Sequence, residues 1–138
     1  MKPRHPRRRP VPWPLGVAAV LAAGCGGDDP STPPSPVPGT VIVALGGATT
    51  EDRAVLLDIG GEATSVSPGT DGIQVRFRPV DDGWAVAAFG ALAGGEIVRI
   101  AVSDTASLPA VLIREVAIVS GELRESVATY RGEMEVVR

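Results

Sequence analysis

Ile73-Gln74-Val75-Arg76-Phe77-Arg78-Pro79-Val80-Asp81-Asp82-Gly83-Trp84-Ala85-Val86-Ala87-Ala88-Phe89 reads as two β-prone runs around a turn triplet. Asp82-Gly83 as a two-residue turn pairs Asp81 with Trp84, whereas Asp81-Asp82-Gly83 as a three-residue loop pairs Val80 with Trp84. A slip of one residue moves every side chain of one strand to the other face. In the three-residue register Val75, Phe77, Ala85, Ala87 and Phe89 share one face, and Arg76, Arg78, Trp84, Val86 and Ala88 share the other. That register places both phenylalanines inside and both arginines outside, and it is the one expected.

Outward from this hairpin the same pattern repeats. Short β-prone runs at Thr40–Leu45, Arg53–Ile59, Glu96–Ser103, Val111–Val119 and Gly132–Val137 join the hairpin strands Ile73–Val80 and Trp84–Leu92. Thr64–Val66 and Glu122–Arg124 read as short additional strands. Gly46-Gly47, Gly60-Gly61, Pro68-Gly69, Asp71-Gly72 and Gly94-Gly95 punctuate the runs. Alternation is clean at Glu96–Val102, where Val98, Ile100 and Val102 face one way and Arg99 the other. Leu112–Val119 is more continuously apolar, as in a central strand, and Leu123–Tyr130 reads as a helical turn. The result is an all-β domain over 40–138, a β-sandwich of about 7–9 strands.

The first forty residues have a different composition. Lys2, Arg4, Arg7, Arg8 and Arg9 precede the apolar run Leu15–Gly24, which at ten residues is shorter than the roughly 20 needed to span a bilayer. The run ends at Cys25, the only cysteine. Leu21-Ala22-Ala23-Gly24-Cys25 resembles a bacterial lipobox, with alanine at position 22 where leucine is usual. The resemblance implies a signal peptide over 1–24 and lipidation of Cys25, which anchors the exported chain to a membrane without a transmembrane helix. Gly26 in place of aspartate favours the outer membrane or cell surface. Arg7-Arg8 raises twin-arginine export as an alternative, though the residues after it follow that motif poorly. Residues 26–39 hold five prolines in fourteen positions. They read as a disordered stalk reaching roughly 40 Å in polyproline II.

Cleavage before Cys25 leaves eight arginines, no lysine and all sixteen Asp and Glu, a formal charge of −8. So acidic a chain repels nucleic acid and anionic lipid surfaces. The one histidine, His5, leaves with the leader, so imidazole and thiol catalysis, Cys/His zinc sites and disulfides are all excluded.

The strand order, the Asp81-Asp82-Gly83 hairpin, the run Gly95-Glu96-Ile97-Val98-Arg99-Ile100-Ala101-Val102 and the closing Gly132-Glu133-Met134-Glu135-Val136 resemble a cohesin domain. The resemblance covers residues 40–138 and implies a jelly-roll sandwich related to a carbohydrate-binding-module superfamily. It also implies a non-catalytic role in polysaccharide-degrading assemblies, docking a dockerin-like protein or a polysaccharide.

Three residues stand out as binding candidates. Trp84, the only tryptophan after Cys25, suits stacking on a sugar or a partner, or else packing at the core edge. Arg76 and Arg78 lie two apart on one strand face and suit carboxylates, unless Asp81 and Asp82 neutralise them. Asp71, Asp81, Asp82 and Asp104 lie in turns without calcium-loop spacing, so no metal or other cofactor is expected. A carboxylate-pair hydrolase needs two acids across a cleft, and a small sandwich offers none in its pattern. The expected protein is an envelope-anchored, non-catalytic binding module, and the rival class is a structural lipoprotein without a specific ligand.

Overall fold

A computed structural model describes residues 33–138 of the chain. The expected signal peptide, Cys25 and stalk residues 26–32 lie outside the described residues. Eight strands follow one another: β1 (Gly39–Gly46), β2 (Asp52–Gly60), β3 (Ala63–Pro68), β4 (Gln74–Val80), β5 (Gly83–Phe89), β6 (Glu96–Val102), β7 (Ala110–Ile118) and β8 (Arg131–Val137). They form two antiparallel four-stranded sheets, ordered β3-β6-β1-β8 (sheet I) and β4-β5-β2-β7 (sheet II). β1 pairs with β8, β2 with β7, β3 with β6 and β4 with β5. This nested pairing is one long hairpin wound into an eight-stranded, two-sheet sandwich.

The period-2 pattern builds the core. Val41, Val43 and Leu45 of β1, Val98, Ile100 and Val102 of β6, Val55, Leu57 and Ile59 of β2, and Val86 and Ala88 of β5 all point between the sheets. Each fully buried Val, Leu or Ile contributes about 1.5–3 kcal/mol. Leu92, just past β5, is also fully buried.

The hairpin register differs from the expected one. Val80 pairs with Gly83, so Asp81-Asp82 form the turn and Phe77 lies opposite Val86. The reason is on the other side of β5. Residues directly opposite on neighbouring strands share a face. Ile59 lies opposite Trp84, Leu57 opposite Val86 and Val55 opposite Ala88. The buried positions of β2 thus turn Trp84, Val86 and Ala88 inward and Ala85, Ala87 and Phe89 outward. Phe89 is 44% exposed, and Phe77, although on the inner face, sits on an edge strand and is 49% exposed. Both arginines remain outside, as expected.

Other boundaries also shift. Thr64–Val66 belongs to a full strand, β3, whereas Glu122–Arg124 contributes one isolated bridge, Ala117 to Leu123. No helix occurs among the described residues, and 123–130 is loop with a turn at Ala128-Thr129. β7 is an edge strand rather than a central one. A register shift opposite Leu56 and Leu57 leaves Arg114 unpaired, so Arg114 and Glu115 both face outward and break the apolar run. The chain is fastened before β1 begins. The Thr105 amide donates to the Val37 carbonyl at 2.8 Å, and the Val37 amide donates to Asp104 Oδ1 at 3.3 Å.

Candidate functional site

The outer face of sheet II carries an open groove of about 460 Å³. Its floor is Ala85 and Ala87 of β5 beside Leu56 of β2, the outward positions that alternate with the core residues. Small side chains there leave room for a partner's backbone to approach. One rim is β4, with Arg76 and Arg78. The other rim holds Asp58, Arg114 and Glu115, where the Arg114 Nε donates to Asp58 Oδ2. A second, smaller hollow of about 150 Å³ shares Leu56, Ala87 and Glu115 with the first and continues toward Ala54, Ala117, Phe89 and Leu123. Phe89 and Leu123 stand 44% and 58% exposed at this apolar end.

The structure brings the candidates Arg76 and Arg78 together on this rim. Both are exposed, and neither makes an ion pair among the described residues. Asp81 and Asp82, the expected local partners, turn the chain at the hairpin tip and do not neutralise them. Trp84 is not part of the groove. It faces the interior, packs against the core, and stands edge-on to Phe77 with ring centroids 5.4 Å apart. Its indole N–H donates to the Ala63 carbonyl at 3.1 Å, tying sheet II to β3 of sheet I. The hydrogen bond to Ala63 and the edge-on contact with Phe77 both hold the ring within the sandwich.

One other cluster has strong electrostatics. Asp52 is the only fully buried charged residue among the described residues. Its Oδ2 accepts from the Thr49 amide at 2.6 Å, and Oδ1 accepts from Arg124 Nε at 3.0 Å and Nη2 at 2.9 Å. The Tyr130 hydroxyl donates to the same carboxylate at 3.1 Å. Burial alone would push the Asp52 pKa up. The Thr49 amide, the Arg124 guanidinium and the Tyr130 hydroxyl outweigh burial and hold it below the ordinary range. Burial, and then the bond to Asp52, raise the Tyr130 pKa, and the bond to Asp52 raises that of Arg124. With both oxygens occupied, the carboxylate has no free position for a substrate. The cluster clamps the 120–130 loop onto the start of β2.

Among the described residues no group of three or more acidic, histidine or cysteine side chains converges as a metal site. No described helix is long and apolar enough to cross a membrane. Sequence reasoning singled out the two arginines as candidates but missed the groove they flank. Its signal was Ala85-Val86-Ala87-Ala88, where alanine alternates with the core residue Val86. It also missed Asp52, signalled by Thr49-Thr50-Glu51-Asp52 ahead of an apolar run, a capping-box spacing used here by a strand. Set against family models, curated proteins and solved structures, the chain matches none.

Proposed function

We propose that this protein is a non-catalytic binding module, tethered to the bacterial envelope through a lipidated Cys25 and docking a protein partner on the outer face of sheet II. The groove carries the reading: an alanine floor, one rim with two arginines that make no ion pair among the described residues, and an exposed apolar end. The resemblance of residues 40–138 to a cohesin domain supports docking rather than turnover, as an analogy of fold. A protein partner is favoured over a polysaccharide because sugar platforms need exposed coplanar aromatics, and Trp84 is turned inward. The three-part leader and lipobox-like Leu21–Cys25 support the tether.

A photo-crosslinking side chain at Ala87, compared with one at Ile42 on the outer face of sheet I, tests the site. A discrete envelope adduct from position 87 alone is expected, and no adduct from either position would favour a purely structural role. For the tether, Cys25→Ser should abolish fatty-acid labelling and leave the precursor uncleaved. Labelling that persists in this variant would refute the anchor.

A further inference from the structure

We infer that the sheet II groove selects an extended acidic protein segment, one with carboxylates two residues apart and an apolar side chain beyond them. This rests on the proposed docking role and names the chemistry of its partner. Arg76 and Arg78 project from the same side of β4, and residues i and i+2 of a strand lie about 7 Å apart. Side chains i and i+2 of an extended peptide repeat at the same spacing. Each carboxylate can therefore meet one guanidinium without bending either backbone. Such charge-assisted bonds are roughly twice as strong as neutral ones.

Charge complementarity selects the acidic partner. The chain after Cys25 is strongly acidic, yet its arginines on this rim have no carboxylate within ion-pair distance among the described residues. Arg99 pairs with Glu96, Arg114 with Asp58 and Arg124 with Asp52, while Arg53, Arg131 and Arg138 also make no ion pair among the described residues but do not line the groove. Across the groove Asp58 is held by Arg114 and Glu115 makes no ion pair among the described residues, so the cationic strip is the β4 rim and an acidic segment keeps to that side. Over the alanine floor, the same segment can reach the hollow between Phe89 and Leu123 with an apolar side chain. Acidic-motif recognition by arginine clusters is a recurring mode of peptide binding.

The test uses the full chain purified in detergent and a capped eight-residue probe, Ser-Glu-Ser-Glu-Ser-Val-Ser-Ser (the Glu/Val peptide), which puts both carboxylates and the apolar side chain on one face, with its Gln-for-Glu analogue (the Gln/Val peptide) as the neutral control. The Glu/Val peptide should bind, and its affinity should fall as salt rises. Arg76→Gln with Arg78→Gln should weaken it about tenfold or more. Arg131→Gln on β8 of the other sheet should leave binding unchanged, and Ala87→Trp should block it by filling the groove. Equal binding of the Gln/Val peptide, or full affinity in the double arginine variant, would overturn the inference. Arginine-dependent binding of polygalacturonate without binding of the Glu/Val peptide would also overturn it, in favour of an acidic glycan. A position-87 adduct in the envelope that survives the double arginine substitution would leave the docking role standing and remove only the acidic preference.

Discussion

Asp52 shows what a single buried charge does in this fold. Folding favours its ionised form, so the contribution is full above its ordinary value of 3.8 and is lost as pH falls through the lower folded value. The urea midpoint should therefore hold near neutral pH and decline below about pH 4. Asp52→Ala should cost about 3 kcal/mol, because Tyr130 and Arg124 lose their shared acceptor, and urea unfolding at pH 7 reads this directly. Arg124 keeps some solvent contact, so Arg124→Gln should cost less. Trp84→Phe keeps most of the packing but removes the bond to the Ala63 carbonyl, for an expected loss of about 1 kcal/mol. Trp84→Ala also empties part of the core edge and should cost about 2–3 kcal/mol with no direct loss of a groove contact.

At the scale of elements, the hairpin separates what local pattern can tell from what it cannot. Gly83 has a φ of 149° and a Cβ there would collide with the Ile59 carbonyl oxygen of β2, so Gly83→Ala should destabilise the central β2–β5 pairing by at least about 2 kcal/mol. Phe89→Ser should leave the melting temperature nearly unchanged, while Val86→Ala should lower it clearly. The reverse order would restore the register in which both phenylalanines are inside. Strand existence was legible because Val98-Arg99-Ile100 and its counterparts alternate with period 2. The hairpin register was not legible, because β2, more than twenty residues upstream, decides which face of β5 is buried. The edge position of β7 was hidden by Leu112, Ile118 and Val119, whose apolar character mimics a central strand although Leu112 and Val119 are largely exposed. Arg76 and Arg78 were legible as an outward pair, since either hairpin register leaves them on one face. The groove beside them depends on alanines, which carry no chemical signal of their own.

For the whole molecule, the outer faces of the two sheets differ in character. Sheet II carries Arg76 and Arg78 together on one strand, with Arg114 held by Asp58 and Glu115 beside it, whereas sheet I mixes Glu133 and Glu135 with Arg131 on β8 and pairs Arg99 with Glu96. Only β4 and β5 are consecutive strands joined within one sheet; every other connection crosses from one sheet to the other. Pairings so distant in sequence place refolding in the millisecond-to-second range typical of all-β sandwiches, which stopped-flow fluorescence of Trp84 can follow. Ending the chain after Tyr130 removes β8 and leaves β1 with β6 as its only neighbour. Such a chain should show no cooperative melting and should be rapidly degraded by protease. The nested winding also sets a timetable. A chain delivered from its N-terminus presents Val41, Val43 and Leu45 first, yet the last strand to flank them starts at Arg131. At synthesis rates of about 5–20 residues per second, β1 waits on the order of 10 s for that neighbour. During that interval an apolar strand remains open to pairing with any other chain, so the longest-exposed part of this domain is the strand it makes first.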